Sequence, residues 1–305
     1  MHPANSVIIF TTLSGLGFGL MTMIGLGYGP TDSVAGPLAG ILALALAGAG
    51  LISSTFHLGN PQRALLAFSQ WRSSWLSREG CVSVVLMCAF FAHVVLWYLN
   101  GAPIIWLGAV CAVLAVVAIC CTAMIYAQLK TVPRWNSAWT LPMFVGYGLG
   151  GGVLLSALTR SFSGDPVDRG FAMALIVASM FMYFHRRMTS MVTLKSSGSS
   201  PETATGLGKF GKVRLLESPH SQPNYLMKEM VFRVGRKHAE KLAVITVIAG
   251  VFAPLFLTVA AIITALPAAP LLLLATVLHL GGAMSSRWLF FAEAEHVVGL
   301  YYGQR

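Results

Sequence analysis

The chain has 305 residues, of which 56% are hydrophobic and only 10% are charged. Because soluble domains average roughly 25% charged residues, this composition excludes an ordinary soluble domain and predicts a membrane protein. The formal net charge of +10 does not indicate a nucleic-acid partner, since basic residues in a membrane protein usually set its orientation.

Eight apolar runs are candidates to cross the bilayer as helices. The predicted fold is therefore an all-α, polytopic bundle of eight transmembrane helices that forms one membrane domain over residues 1–305. Gly15 and Gly19 are spaced for close helix packing. The sixth run is closely bounded by charged or titratable residues, Arg169 before it and His185–Arg187 at its end. The runs lie near Val7–Leu26, Gly36–Phe56, Cys81–Leu99, Ile104–Gln128, Leu141–Thr159, Phe171–His185, Leu242–Leu266 and Pro270–Phe291.

The distribution of basic residues predicts the orientation of this bundle. With eight crossings, both termini lie on one side, together with the connections 57–80, 129–140 and 186–241. Of the 20 Lys and Arg residues, only Arg160 and Arg169 fall on the opposite side. Arg287 lies near the terminal-side end of the last helix. Because positive residues stay inside, both termini are predicted to be cytoplasmic.

The cytoplasmic loop 186–241 is longer than the topology requires. Apolar residues recur at helical spacing between Tyr225 and Val234, with Lys228, Arg233 and Arg236 around them. This pattern predicts a basic amphipathic helix leading into the seventh span. Two interpretations stay open: a helix that lies on anionic lipid, and a docking surface for a cytoplasmic protein.

The connection between the second and third spans begins with a predicted surface helix. Asn60 and Pro61 are typical of a helix start. Leu65, Phe68, Trp71 and Trp75 follow at spacings of three and four residues. We expect an interfacial helix that its two tryptophans hold at headgroup depth.

Three ionisable residues flank this surface helix and form the candidate site. His57 ends the second span, Arg63 lies in the first turn of the surface helix, and Glu79 begins the third span. All three can converge at the edge of the hydrocarbon, where ionisable groups are costly and often functional. A histidine and a carboxylate at the mouth of an apolar pocket suit a quinone headgroup, which needs hydrogen-bond partners and a proton route.

Other interpretations of the same residues remain open. Arg72, Arg78 and Glu79 can serve as interface anchors while His57 merely caps a helix. A proton-coupled transporter would use His57 and Glu79 as a relay, but it needs ionisable groups near the middle of the membrane, where the spans carry almost none.

Metal and haem chemistry find little support in the sequence. The five cysteines all lie in apolar runs without C-x-x-C spacing, so no metal site is predicted. Transmembrane haem needs histidine pairs at matched depth. Of the histidines, only His57 and His185 share a depth, and both are boundary residues.

The end of the chain brings another group of charges to the cytoplasmic boundary: Arg287, Glu293, Glu295 and His296. The expected arrangement is an ordinary one, in which charged side chains reach toward water among aromatic anchors. Arg287 lies deepest and is a further candidate, with Arg78, for a supporting position behind the quinone site.

The motifs HLGNPQRA (57–64) and SREG (77–80), the opening HPANSVIIFTTLSGLGFGL and the closing RWLFFAEAEHVVGLYYG resemble the membrane-anchor subunits of the DMSO reductase family. The resemblance covers essentially the whole chain. It implies a non-catalytic subunit of a multi-pass complex in a bacterial inner membrane. The implied partners are a molybdopterin catalytic subunit and an iron–sulfur electron-transfer subunit.

The resemblance also implies which cofactors and residues matter. Anchors of this family exchange electrons with ubiquinone or menaquinone, contain no haem and bind no covalent cofactor. His57 and Glu79 match positions that the family associates with quinol binding, and Arg63 lies in the same motif. The predicted cytoplasmic side of this motif resembles the anchor of a cytoplasmic sulfite dehydrogenase, a sulfite:quinone oxidoreductase. The alternative is the anchor of a DMSO reductase-like enzyme that oxidises menaquinol.

Overall fold

A computed structural model describes residues 3–56, 60–192, 197–217 and 239–302. Within these ranges the regular secondary structure is helical, with eight long helices that agree with the eight apolar runs to within a few residues at most boundaries. Shorter helical segments are Pro61–Phe68, Pro201–Thr205, Leu207–Phe210 and Val297–Tyr302. The long helices are α1 Asn5–Gly25, α2 Ala35–Thr55, α3 Trp75–Asn100, α4 Ile105–Ala127, α5 Thr140–Phe162, α6 Arg169–Thr189, α7 Ala239–Ile263 and α8 Ala268–Ala292.

Seven of these helices are long and apolar enough to cross a membrane by their composition. Helix α6 is the exception, because its 21 residues include Arg169, Arg186 and Arg187. It nevertheless runs along α5. Near one end of α6, the His185 Nδ1 atom lies 3.0 Å from the Trp139 carbonyl oxygen, and near the other Phe171 belongs to the same apolar cluster as Leu158.

Helix α1 lies at the centre of the bundle and packs on α2, α4, α5 and α8. Glycines allow its close approach to α5. A Cβ at Gly19 would overlap the backbone of Gly148, and a Cβ at Gly152 would overlap the backbone of Gly19. The predicted packing role of Gly19 is therefore confirmed, and both glycines are needed because two backbones meet there.

Helix α7 contains a π turn at Ile248–Phe252. Pro254 lacks a backbone N–H, so it cannot bond the carbonyl oxygen of Gly250 as a helical residue four positions later would. That oxygen lies 2.9 Å from Nδ1 of the fully buried His279 in α8, whose Nε2 lies 3.2 Å from the Tyr147 carbonyl oxygen. Pro254 thus leaves a backbone carbonyl oxygen of α7 without its helical partner, at the position where a histidine of α8 contacts it.

The bundle has two distinct ends. The terminal end is where α1 begins and α8 ends, and Ser53 at the end of α2 donates there to the Ser6 carbonyl oxygen at 3.0 Å. The distal end is where α1 ends and α8 begins. There Asp165 accepts hydrogen bonds from the backbone and hydroxyl of Thr31, each at 2.8 Å, and Arg160 donates to the Gly29 carbonyl oxygen at 2.9 Å.

The connection between α2 and α3 differs from its prediction. The surface helix is a 3₁₀ helix that ends at Phe68, and Trp75 begins α3 instead of extending the surface helix. The N-cap of α3 explains why the surface helix does not continue into α3. Ser74 caps α3, with its hydroxyl oxygen accepting from the Ser77 backbone N–H at 3.5 Å, and a capping residue cannot sit inside a continuing helix.

Candidate functional site

Glu79 lies one turn inside α3 at the terminal end of the bundle, and it is only 4% exposed. Helix α3 begins at Trp75 because of the Ser74 cap, and this start turns Glu79 toward α4. There the Thr122 hydroxyl, which also donates to the Ala118 carbonyl oxygen at 3.1 Å, lies 3.5 Å from Glu79 Oε1. The predicted site carboxylate is thus a buried group between two membrane helices.

Arg63 and Arg78 occupy different surroundings from Glu79. Arg63 is exposed on the 3₁₀ helix, so the side chain does not join Glu79 in the interior. Arg78 donates to the carbonyl oxygens of Trp71 at 2.9 Å and Arg72 at 2.6 Å, and its guanidinium lies 4.4 Å from the Trp75 ring centroid. Arg78 therefore ties the preceding connection to the start of α3.

His57 and the predicted basic amphipathic helix lie partly or wholly outside the described residues. His57 falls in the gap 57–59, and Tyr225–Val234 falls in the gap 218–238. Of the three residues predicted to converge, the described part of the chain thus places Glu79 inside the bundle and Arg63 on its surface.

An aromatic layer fills the terminal end of the bundle beside Glu79. At its centre is Tyr126 of α4, one turn beyond Thr122. The Tyr126 ring stacks on Phe144 of α5 at 5.7 Å and meets three other rings edge-on at 5.3–5.5 Å. These three rings belong to Trp135, Phe290 and Phe291. The layer packs apolar ring surface into this end of the bundle, one helical turn from the Thr122 contact with Glu79.

Arg287 lies on the other side of this layer. The sequence predicted that this side chain would reach toward water. The structure instead buries it, and the residue is only 2% exposed. The guanidinium carbon lies 3.6 Å from the Phe144 ring centroid, a favourable cation–π contact. Its Nε and Nη1 atoms have no hydrogen-bond partner among the described residues.

Glu293 also departs from the expected solvent-facing arrangement. It pairs with two arginines from different elements: Arg134 of the α4–α5 connection at 2.8 Å and Arg186 near the end of α6 at 2.5 Å. Arg134 in addition donates to the Val192 carbonyl oxygen. One carboxylate thereby joins the end of α8, the α4–α5 connection and the end of α6.

The segment after α8 packs back on the same end. The Val297 N–H donates to the Thr131 carbonyl oxygen at 3.0 Å, and His296 Nδ1 accepts from the Val298 N–H at 3.0 Å. Burial lowers the pKa of His296 below its usual value. A neutral imidazole at this position agrees with its role as a hydrogen-bond acceptor.

Among the described residues, a larger and a smaller cavity lie at the terminal end, and Glu79 lines neither of them. The larger, of about 500 Å³, is bordered by α1, α7 and α8, with mostly apolar walls and the polar groups of Asn5, Ser285 and Trp288. The smaller is bordered by Glu293 and combines apolar wall surface with polar groups; His185, Tyr147, Thr246 and Ser286 are among its walls.

Sequence reasoning missed the partners that surround Glu79. Thr122 and Tyr126 are separated by four positions and therefore share a helix face, but nothing in the sequence indicates that this face meets α3. Ser83, one turn after Glu79, is fully buried, and its hydroxyl has no partner among the described residues. A polar residue four positions from a buried carboxylate was the one available signal.

In the described part of the chain, no three His, Cys, Asp or Glu side chains are grouped as a metal ion would require. His279 illustrates why burial of a histidine is not enough to indicate a ligand, since carbonyl oxygens lie beside both of its ring nitrogens.

Comparison with known proteins gives one family for the whole length of the protein. The DMSO reductase anchor subunit (DmsC) family matches residues 1–303. The C subunit of the sulfite dehydrogenase of Allochromatium vinosum is 29% identical over 327 aligned positions that cover 99% of both proteins. The C component of the anaerobic dimethyl sulfoxide reductase of Escherichia coli is 35% identical over 142 positions, covering 44% of this protein and 46% of the relative.

Proposed function

The chain belongs to the family of DMSO reductase anchor subunits, and from that premise we propose that it anchors a molybdopterin and iron–sulfur oxidoreductase in the bacterial inner membrane. In this role it exchanges electrons between the iron–sulfur partner and the quinone pool. The observation that carries the proposal is Glu79, a buried carboxylate one turn inside a predominantly apolar membrane helix.

The proposed quinone site lies at the start of α3, with Glu79, His57 and Arg63 as its ionisable groups. Reduction of a quinone takes up two electrons and two protons, so a group that accepts and releases a proton must stand near the headgroup. Glu79 fits that need because its Oε1 atom is held by the Thr122 hydroxyl in a water-poor setting. Arg78 supports the site by fixing the connection that precedes α3.

We propose eight crossings with both termini in the cytoplasm. The support for α6 as the eighth crossing is its antiparallel course along α5, from the Trp139–His185 contact to the cluster around Phe171. With eight crossings, nearly all of the basic residues lie on the terminal side, which favours the cytoplasm for that side. The catalytic and iron–sulfur partners would then dock at the terminal end.

For the partner enzyme we propose sulfite oxidation. The support is the similarity to the sulfite dehydrogenase relative, which extends over 99% of both proteins. Oxidation of sulfite to sulfate, with water as the source of the added oxygen atom, releases two electrons and two protons, and the two electrons with two protons reduce one quinone to quinol. The second candidate is a DMSO reductase-like complex that oxidises menaquinol, favoured by the partial match to the dimethyl sulfoxide reductase relative.

Substitution of Glu79 by Gln in the purified complex tests the quinone site. The amide keeps the size of the side chain but cannot exchange a proton at neutral pH. We expect quinone turnover to fall by about 10²-fold or more, a loss typical of removing a group that transfers protons. The exposed Glu240, replaced by Gln, is the matched control. Unchanged turnover in the Glu79 variant would reject the site assignment.

Isolation of the chain in mild detergent tests the partner proposal separately. We expect molybdopterin and iron–sulfur subunits to copurify, with sulfite-dependent reduction of a soluble quinone analogue. Purification of a single polypeptide without these subunits would contradict the anchor role. Activity with dimethyl sulfoxide and a reduced quinone, in place of sulfite, would select the second candidate.

A further inference from the structure

The larger cavity at the terminal end has a volume of about 500 Å³, within the range of about 300–1,000 Å³ that is usual for small-molecule sites. Helices α1 and α7 both pack on α8, and all three helices contribute residues to the cavity. The described residues that border it are Asn5, Ile8, Ile9, Leu242, Met284, Ser285 and Trp288.

Helical spacing explains why these residues face one space. Asn5 and Ile9 are four positions apart in α1, and Ser285 and Trp288 are three positions apart in α8, so each pair lies on one face of its helix. Asn5 begins α1, and Trp288 lies four residues before the end of α8 at Ala292, a rise of about 6 Å. The polar groups of the cavity are therefore near the membrane boundary, the depth at which tryptophan is enriched.

The same face of α8 stays open beyond the cavity, toward the middle of the membrane. Gly281 lies four positions before Ser285, and a Cβ added at Gly281 would meet no described atom within 4 Å. The neighbouring Gly282 differs, because a Cβ there would overlap the backbone of Gly250 in α7. Helix α8 thus contacts α7 at Gly282, whereas the space beside Gly281 can receive the chain of a lipid-soluble ligand.

Three polar side chains of the cavity are available to a ligand. No described residue is hydrogen-bonded to the side chain of Asn5, Ser285 or Trp288. Thr276 of the same helix shows the usual alternative, since its hydroxyl donates to the Leu272 carbonyl oxygen at 2.8 Å. An amide, a hydroxyl and an indole N–H are all neutral hydrogen-bond donors.

The charge of the cavity distinguishes between ligand classes. None of the described residues that border it is charged, and Lys241, next to Leu242 in α7, is exposed and does not border it. The phosphate of a phospholipid is best bound by arginine or lysine. A quinone headgroup is neutral and has two carbonyl oxygens that accept hydrogen bonds, so it matches neutral donors among apolar walls.

We propose that this cavity is a second binding site for a quinone headgroup, separate from Glu79, with the isoprenoid tail lying along α8 past Gly281. No ionisable residue of the described part of the chain borders it, so the site binds the quinone without protonating it. The identity of the occupant rests on the proposed function, because that function supplies the quinone.

Photolabelling of the purified complex tests the site directly. The probes are azido derivatives of a short-chain ubiquinone and of a naphthoquinone, and the labelled peptides are mapped by mass spectrometry. We expect adducts within 5–9 and 284–288. Ser285→Phe places a ring in the cavity and removes one donor, so labelling there should fall about tenfold or more. Val113→Phe, which adds the same ring at an exposed position of α4, should leave it unchanged.

Two further variants separate the polar contacts from the available space. Asn5→Leu keeps the approximate size of the side chain but removes the amide, and we expect about three- to tenfold weaker labelling. Gly281→Leu should also reduce labelling, because its side chain occupies the open face of α8. If Ser285→Phe does not assemble, Gly281→Leu replaces it, since a Cβ at that position meets no described atom.

The same labelling experiment also separates this inference from the proposed function. Unchanged labelling in the assembled Ser285 or Gly281 variant would overturn the inference, as would displacement of the label by phosphatidylglycerol and not by unlabelled quinone. Quinone turnover without any label in the cavity would reject the second site and leave the proposed function intact. Labelling of the cavity in a complex that turns over no quinone would reject the proposed function and leave the site.

Discussion

The two ends of the bundle use ionisable residues in opposite ways. At the distal end, Asp165 and Arg160 join the loops through hydrogen bonds to Thr31 and Gly29 near the surface. At the terminal end, Glu79 and Arg287 are buried, and Glu293 holds two arginines. The same eight helices supply both ends, so the difference lies in how deeply the chain places its charges.

This contrast separates ionisable residues that join surface loops from buried ionisable residues that can take part in a reaction. Water can replace the distal contacts when they break, so each contributes little to stability. The buried charges of the terminal end have no such substitute, and natural membrane helices retain groups of this kind mainly where function requires them. The terminal end is therefore the end where substitutions should have large effects.

The largest stability effect is expected for Glu293→Gln. The substitution leaves the partly buried Arg134 and Arg186 without their shared carboxylate, and it loosens α6, α8 and the α4–α5 connection together. We expect a loss of about 2–3 kcal/mol in the free energy of unfolding, less than for a fully buried pair because all three side chains retain some exposure. Urea unfolding in detergent would measure it.

The exposed Glu240→Gln is the control for this variant, since it removes one carboxylate from the same end without a described ion pair. If the two variants unfold at the same denaturant concentration, the Glu293 contacts do not stabilise the terminal end, and the contrast between the two ends loses its energetic basis.

A smaller effect is expected for Arg160→Gln at the distal end. Arg160 donates to the carbonyl oxygens of Gly29 at 2.9 Å and Pro166 at 3.0 Å, and glutamine is too short to keep both bonds. Because water can reach these oxygens, we expect a loss of about 1 kcal/mol. The exposed Arg169→Gln serves as the charge-matched control. A loss of unfolding free energy equal to that of Glu293→Gln would contradict the conclusion that the terminal-end contacts contribute more stability than the distal ones.

The positions of the helices could be predicted from sequence because hydrocarbon thickness imposes a length and an apolar composition. The surface helix could not be bounded in the same way: Leu65 to Trp75 keeps a helical spacing across the break, and only the cap at Ser74 ends the pattern. Periodicity describes which residues share a face, but it does not say where the backbone hydrogen bonds stop.

The site was predictable only in part, for a related physical reason. An ionisable residue in an apolar run identifies Glu79, but not the helix it faces. Thr122 became a neighbour of Glu79 through the packing of α3 on α4, a tertiary contact. Arg287 was expected to reach water because arginine usually can; Phe144 offers it an aromatic face inside the bundle instead.

The smallest effect is expected for Asp165→Asn, and its pH dependence identifies the origin of the contact. The hydrogen bond from the Thr31 backbone lowers the pKa of Asp165 below its usual value. A carboxyl whose pKa is lowered by folding stabilises the folded state at pH values above its pKa in the unfolded protein, which is near 3.9. That stabilisation is lost as the pH falls through the lower pKa of the folded protein. The side chain is partly exposed to water, so we expect a loss of only a few tenths of a kcal/mol at neutral pH. Melting curves of both proteins should differ by a constant amount above about pH 5 and converge below about pH 4. A difference in melting temperature that persists at low pH would mean that the distal loops are stabilised by the geometry of the Thr31 contact and not by the charge of Asp165.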